Sequence, residues 1–529
     1  PKDMRNDVSV VMTVLSVDQD YSPEVAGMLG TSFALSISDI PWNGPIGGVQ
    51  VGLVDDEIII CPNEEQRKKS DLQLTVAGTR EKIVMIEAGA NQVKEDTMLE
   101  AIAKAHEEIK KIAQFIADVQ AEIGKPKFSF ESQEVDHDMF EAIKDFAIDK
   151  VKYALDTDDK NIREERLAPV IEEIHAKFDE QYPEEGAKID ECIYKLQKFV
   201  VRRWLLDEGK RVDGRGIDEI RPLACEVGLI PRVHGSALFT RGQTQVMTIT
   251  TLGPVSDAQI LDGIDNEDTK RYMHQYNFPS YSVGETKPSR GPGRREIGHG
   301  ALAERALVPV LPSPEEFPYA IRAVSETFES NGSTSQASIC ASCMALMAAG
   351  VPLKAMVAGI SCGLVTGDTD DDYIVLTDIQ GLEDFFGDMD FKVAGTHKGI
   401  TAIQMDIKIH GLTRAIIEEA IARTREARFY IMDEVMSKAI AEPRQTVGKY
   451  APKIEMMTID PATIGDVVGK QGKVINRIIA ETGVKIDITD DGNVSICGTD
   501  ADMIAKAMKT IEIITSDFEE GQVLEGTVI

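Results

Sequence analysis

The sequence has no run of eighteen or more uncharged apolar residues, which excludes an ordinary membrane-spanning helix, and its start, PKDMRNDVSVVMTV, lacks the apolar stretch and small-residue cleavage site of a signal peptide. Both absences predict a soluble, cytoplasmic chain. Aromatic residues are scarce at 6%, yet 43% of the 529 residues are apolar, enough for several domains with cores of their own. Positive charge is short as well: 57 Lys and Arg stand against 89 Asp and Glu, a net charge of −32. Taken alone, that balance argues against a nucleic-acid partner and leaves the question to local basic clusters. The seven cysteines are odd in number and widely spread, so they form no disulfide framework. Cys340 and Cys343 make a C-x-x-C inside ASICASCMALMAAG with no second pair, which reads as small residues of a buried helix. The first residue is Pro rather than Met, so the N-terminus is expected to be processed or cut.

What is present is an internal repeat. Residues 9–54 follow the same order as 320–365: an alternating strand, a polar turn, a small-residue helix, a Pro and a β-rich segment ending in G-L-V. Both copies then reach V-A-G-T, at 76–79 and 393–396. The second copy has a long leading portion, roughly 205–319, without a counterpart in the first, which predicts that the chain starts partway into its first copy. Between them, from 92 to about 200, Gly is rare and Met98, Ile102, Ala105, Ile109, Ile112, Ile116 and Val119 step by three and four along one face. An all-helical insert is expected there, serving to pack and space. After about 445, residues 459–500 read as strand, helix, G-K-Q-G turn, helix and two strands, with a further helix near 501–515, a small α+β module. The end, FEEGQVLEGTVI, reads as the opening strand of another domain.

Three segments carry chemistry. In GDMDFKVAGT, an extended 388–396 would turn Asp388, Asp390 and Lys392 to one face. Two carboxylates with an ammonium suit Mg²⁺, which takes one or two carboxylates plus water and phosphate, and Asp384 just upstream adds another. Alignment on V-A-G-T sets Gln73 against Asp390 and Thr75 against Lys392, so the first copy lacks this face. In ESNGSTSQAS, Ser333, Thr334 and Ser335 lead into a helix whose N–H groups and dipole favour an anion. The first copy has Ser22, Pro23 and Glu24 there, and a Glu would repel phosphate. Third, RGPGRREIGHG places Arg290, Arg294, Arg295 and His299 together in an otherwise acidic chain. Together the three suggest phosphoryl chemistry on a polyanion. The turn Gly469-Lys470-Gln471-Gly472, with Lys473 and Arg477 beside it and apolar helices on either side, matches a KH module, whose loop clamps a single-stranded backbone.

The segments IPRVHGSALFTRGQTQ, YSVGETKPSRGPGRREIGHG, FESNGSTSQAS and GDMDFKVAGT, in this order, resemble the second RNase PH-type core of the bacterial polynucleotide phosphorylases. The resemblance covers essentially the whole chain. It implies an α/β (α+β) fold: the later part of a degenerate first core at 1–90, an all-helical linker at 91–203, a catalytic second core at 204–445, a KH domain at 452–515 and an OB-fold start at 518–529. It implies a 3′→5′ exoribonuclease that uses inorganic phosphate on single-stranded RNA, releases nucleoside diphosphates and runs backwards as a template-free polymerase. A homotrimer and a place in an RNA-degradation complex with an endoribonuclease and a helicase go with it, with no membrane and no DNA expected. By position, Asp384 and Asp390 match the metal ligands for Mg²⁺ or Mn²⁺, with Lys392 and His299 in the catalytic cluster. Ser333, Thr334 and Ser335 match the phosphate site, Thr334 departing from the commoner Ser. Arg294 and Arg295 match RNA-handling residues, and Asp388 belongs to the motif without an assigned role. The channel-lining loop of the family's first core has no counterpart here. Two other readings compete: a metal-dependent hydrolytic nuclease, and an inert scaffold that binds RNA through its KH module.

Overall fold

The computed structural model describes residues 1, 3–132, 134–264, 267–369 and 371–516. The expected OB-fold strand at 518–529 lies outside them.

The first copy contributes helix α1 (Pro23–Ile37), the hairpin β1 (Gly47–Val54) and β2 (Glu57–Ile60), short helix α2 (Glu64–Lys69), strands β3 (Leu72–Gly78) and β4 (Ile83–Val93), and helix α3 (Glu95–Ile123). The hairpin turns at Asp55 and Asp56, both left-handed (φ 51° and 64°), as a two-residue turn of this hand requires. Three helices follow: α4 (His137–Leu155), α5 (Lys160–Phe178) and α6 (Gly186–Glu208). The second copy opens with β5 (Leu223–Val227), β6 (Gly235–Arg241), β7 (Thr244–Pro254), the short pair β8 (Gln259–Ile260) and β9 (Thr269–Lys270), β10 (Tyr272–Asn277), helix α7 (Arg294–Leu307) and β11 (Tyr319–Glu329). It continues through helix α8 (Thr334–Ala348), β12 (Ala358–Thr366), β13 (Tyr373–Thr377), helix α9 (Gly381–Phe386), β14 (Met389–Gly395), β15 (Ile400–Ile407) and helix α10 (Arg414–Tyr430).

The repeat appears in space as one eight-stranded sheet, ordered β13-β12-β14-β15-β4-β3-β1-β2. Read outward from the antiparallel β15–β4 seam, each half runs through corresponding elements, and both carry a register shift at the Gly of V-A-G-T, Gly78 and Gly395. A second sheet, β10-β11-β7-β6-β5, belongs to the second copy alone. Helix α8 packs against β6 and β7 on one side and β12 on the other, so all of its residues are buried. That is where an all-round small and apolar helix belongs, and Cys340 and Cys343 are core residues as expected.

The structure corrects two expectations. Residues 9–16, the expected strand of copy one, form no strand, and Val11 and Leu15 are exposed. Their counterpart β11 is paired on both sides, by β10 and β7, strands that come before it in the second copy. Among the described residues, 9–16 have no such pairing neighbours, and an alternating segment forms a strand only where it has them. The second correction concerns α3, counted with the helical insert. Its Met98, Ala101, Ile102, Ala105 and Ile109 share one core with Val49, Leu74 and Val76 of the sheet. The boundary expected at 91 therefore falls inside the packing unit of copy one, and the bundle proper starts with α4. That bundle shares its core with Val365, Leu376, Ile379 and Phe386, the end of the sheet that carries α9.

At the C-terminal side, strands 453–458, 493–498 and 485–488 form a three-stranded sheet in that order, covered by helices 464–468, 473–482 and 501–515. Lys485 pairs with Asp257 at 2.9 Å and the Ser256 hydroxyl donates to Asp487 at 2.8 Å, fastening this module to the second copy.

Candidate active site

A cavity of about 380 Å³ opens between α7, α9, β14 and β15, lined by Arg294, Arg295, His299, Asp384, Asp390, Lys392, Gln404, Asp406 and Lys408, among others. Strand alternation puts Asp390 and Lys392 of β14 on one face, and across the ladder Asp390 lies opposite Asp406 and Lys392 opposite Gln404. The Lys392 ammonium sits 2.9 Å from Asp390 and 2.9 Å from Asp406 and donates to Gln404 at 3.3 Å. Burial disfavours its charge, but the two carboxylates outweigh that and hold its pKa above the usual lysine range. Asp390 is shifted up, first by burial and then by Asp384 and Asp406, against the pull of Lys392. Its Oδ1 is buried and has no hydrogen-bond partner.

Asp384 comes from the first turn of α9, a helix started by a capping box between Gln380 and Glu383. Lys408 donates to the carbonyls of Asp384 and Phe385, at 3.1 Å to the latter. Among the described residues no three His, Cys, Asp or Glu gather closely enough to hold a metal by themselves. Two hard oxygen donors, one with an orphaned buried oxygen, nevertheless fit Mg²⁺, which keeps water and substrate phosphate as its other ligands. His299, in α7, packs edge-on against Tyr276 with ring centroids 5.1 Å apart. Burial, then Lys392 and Arg295, lower its pKa to about 3, so the imidazole is neutral near pH 7. Arg294 and Arg295 are exposed in the first turn of α7.

The Ser333–Ser335 hydroxyls do not line this cavity. They stand at the N-terminus of α8, one contact away: the Gly381 N–H at the start of α9 donates to the Asn331 carbonyl at 3.1 Å. The two copies differ sharply here. Ser22 has ordinary extended φ/ψ and its hydroxyl caps α1 by accepting from the Val25 N–H at 3.3 Å. Ser333 is left-handed (φ 55°) and makes no cap, and the Ser333 and Ser335 Oγ atoms are buried with no partner. The carbonyls of 331–333 point inward, accepting from Arg221 at 2.7 Å (Asn331), from Thr244 at 3.1 Å (Gly332) and from Arg241 at 2.6 Å (Ser333). With the carbonyls of 331–333 turned inward, the start of α8 presents helix N–H groups and the partnerless Ser333 and Ser335 hydroxyls, while the Thr334 hydroxyl is paired with Ser330 at 2.6 Å; such an arrangement can hold an anion.

Asp388 does not face the cavity, contrary to the expectation of one common face. It precedes β14 and accepts from Arg202 of the helical bundle at 2.8 Å and from the Thr366 N–H and hydroxyl at 2.8 Å each. Its position in copy one is still an aspartate, Asp71, whereas Asp390 and Lys392 have been replaced. Asp388→Ala would leave Arg202 without its counter-ion, holding only the Phe386 and Thr366 carbonyls, and is expected to cost about 3 kcal/mol in urea unfolding while preserving the activity of each folded molecule.

Sequence reading overlooked Gln404, Asp406 and Lys408. The signal was there: Q-M-D-I-K alternates with period two, as D-F-K does on β14. The Gly469–Gly472 loop lies on the C-terminal module, with Lys470, Gln471, Lys473 and Arg477 exposed and Gly469, Gln471 and Gly472 all left-handed (φ 70°, 57° and 75°). A Cβ at Gly469 would meet Val474 at 2.4 Å, so aspartates at the glycines would strain the loop besides repelling RNA. Lys470→Glu with Lys473→Glu isolates the charge. This pair is expected to weaken single-stranded RNA binding on the order of tenfold at 0.1 M salt and to flatten the salt dependence, while turnover of short saturating substrates stays unchanged.

Two related halves of one sheet, a carboxylate–lysine–arginine cavity, an anion-holding helix start and an attached KH-type fold define an enzyme of RNA phosphodiester chemistry. Family models agree segment by segment: 3′ exoribonuclease family domain 2 matches 44–108 and domain 1 matches 219–352, and a KH domain matches 453–513. The helical segment, expected only to pack and space, matches at 138–216 a model described as the polyribonucleotide nucleotidyltransferase RNA binding domain. A polyribonucleotide nucleotidyltransferase of Lachnoclostridium phytofermentans is 65% identical over all of this chain and 76% of its own length. One from Ruminiclostridium cellulolyticum is 60% identical over all of this chain and 75% of its own. The chain belongs to the polyribonucleotide nucleotidyltransferase family. Among solved structures, a chain of an Archaeoglobus fulgidus exosome aligns with 45% of this chain, and this chain with 98% of it, at 16% identity and TM-score 0.37, a likeness too slight to build on. Among the described residues no helix is long and apolar enough to cross a membrane.

Proposed function

We propose that the second copy performs the family's chemistry, with Asp384 and Asp390 holding Mg²⁺ and Ser333, Thr334 and Ser335 holding inorganic phosphate. The enzyme is a 3′→5′ phosphorolytic exoribonuclease. Phosphate attacks the phosphorus of the last phosphodiester, the P–O bond to the 3′ oxygen of the preceding nucleotide breaks, and one nucleoside diphosphate leaves. The reverse reaction adds a nucleotide without a template. When bound, Mg²⁺ supplies positive charge against the developing pentacoordinate phosphorane. The α8 N–H groups and the Ser333 and Ser335 hydroxyls orient the nucleophile, Lys392 adds a fixed positive charge held ready by Asp406, and Arg294 and Arg295 neutralise the incoming RNA backbone. His299, being neutral, offers a hydrogen bond rather than a charge. No covalent enzyme intermediate is needed. The reading extends to Mn²⁺ as a substitute metal, to a homotrimer, to partnership with an endoribonuclease and a helicase, and to a cytoplasmic location.

One observation carries the phosphate assignment: the serine that caps its helix in copy one has been turned to a left-handed conformation in copy two, and its hydroxyl is left without a partner. Thin-layer analysis of products from a 3′-tailed RNA with Mg²⁺ tests the reading. Diphosphates formed only when phosphate is supplied support it, and monophosphates released without phosphate would establish the hydrolytic alternative.

A further inference from the structure

Between the Ser333 loop and the helix that carries Asp384 lies an ion network closed to solvent. At its centre is Asp378, fully buried and left-handed (φ 53°) although it is not glycine. It pairs with Arg221 at 2.7 Å, Arg241 at 2.8 Å and Arg215 at 3.3 Å. Arg221 and Arg241 are the same side chains that hold the carbonyls of Asn331 and Ser333. On the other side Arg211, fully buried, grips Glu383 through two bonds of 2.8 and 2.5 Å and donates to the Thr377 and Asp378 carbonyls at 2.8 Å each. Glu383 immediately precedes Asp384. Hydrogen bonds through Arg221 and an ion pair through Arg241 thus connect the Asn331 and Ser333 carbonyls to Asp378, and Arg211 carries the connection on to the residue next to Asp384.

Fold stability gives no account of this network. Buried ion pairs contribute little net stability compared with apolar packing, and a left-handed non-glycine residue costs free energy that the surroundings must offset. Copy one shows what the fold itself requires. Cys61 stands in the place of Asp378 with the same left-handed backbone (φ 51°), and α2 begins with the same capping box, Asn63 and Gln66 standing where Gln380 and Glu383 stand. The kink and the helix start therefore form without either carboxylate. Arg67 occupies the position of Asp384, so the charges of the network and of the site are missing from the same copy.

We propose that Asp378 and Glu383 are positioning residues, and that this network holds the phosphate loop and the Asp384 helix at one fixed separation, so that the attacking phosphate and the residues that would hold the metal serve the same phosphodiester. The inference rests on the phosphate and metal assignments above. Glu383→Gln is the decisive variant, because Gln66 shows that glutamine preserves the cap, while the charge and one acceptor oxygen facing Arg211 are lost. Asp378→Asn is its companion, since asparagine tolerates the left-handed region. In the full chain, each variant should melt cooperatively yet raise both the half-saturating phosphate and the half-saturating Mg²⁺ concentrations about tenfold or more. Mn²⁺ binding followed by electron paramagnetic resonance, which needs no turnover, should weaken in parallel. A shift in the metal alone, a fall in kcat with both half-saturations unchanged, or no effect would overturn the inference. The underlying assignments are judged separately, on the wild-type chain and Ser335→Ala. If wild type needs no phosphate, or Ser335→Ala leaves its phosphate requirement unchanged, the site reading fails; if both behave as expected and Glu383→Gln moves only the metal, the coupling fails.

Discussion

Asp390→Asn is expected to abolish phosphorolysis and polymerisation together, by a factor on the order of 10³ or more, as when a preorganised charge is removed from a transition state. The two directions share one transition state, so a group that stabilises it cannot be lost from only one of them. The fold should survive. Copy one builds the equivalent strand, β3, in the same register with Gln73 at this position, and Lys392 keeps Asp406 as its counter-ion in the variant. The measurement is RNA shortening with phosphate and RNA elongation with nucleoside diphosphate, both at saturating Mg²⁺, alongside a melting curve. Activity retained in either direction would remove Asp390 from the metal site.

The second large effect is expected from writing copy one into copy two: Thr334→Pro with Ser335→Glu. A residue before proline is driven out of helical backbone towards extended, so Pro at 334 would pull Ser333 from φ 55° towards the geometry of Ser22 (φ −67°, ψ 120°). The serine would then cap its own helix, and the new carboxylate would stand where the attacking anion is proposed to sit. Phosphate binding should fail, seen as a large rise in the phosphate needed for RNA shortening or as complete loss of it. A hydrolytic enzyme would register little beyond a change of helix cap, about 1 kcal/mol, because water carries no charge to repel. Ser335 is 1% exposed, so a glutamate there also bears a burial cost, and folding must be verified. Ser335→Ala, which removes a hydroxyl without adding charge, provides the milder companion. Phosphate-independent shortening that persists through both changes would refute phosphorolysis.

Much of this site was legible because its signals are local. The period-two pattern of D-x-K survives into β14, the run of small residues after Ser333 becomes a buried helix, and the repeat shows which copy has kept its charges. Asp388 was misjudged because alternation was extended one residue beyond the start of the strand; the main chain turns there, and Arg202, 186 positions away, claims the carboxylate. The same limit hid the ion network. Arg211, Arg221, Asp378 and Glu383 read as scattered charges until β13 and α9 bring them together.

The sequence by itself determined the order of the two copies, the helical and KH segments, and the residue types able to hold phosphate, metal and RNA, because periodicity, glycine-bearing turns and repeated motifs are properties of neighbouring residues. Only the tertiary structure decided that residues 9–16 form no strand, that α3 belongs to the core of the first copy, that Asp406 shares the Lys392 ammonium, and that Ser333 leaves its helix uncapped. Each depends on what packs or pairs from far along the chain, and distance through space between such segments is not encoded in the spacing of residues along it.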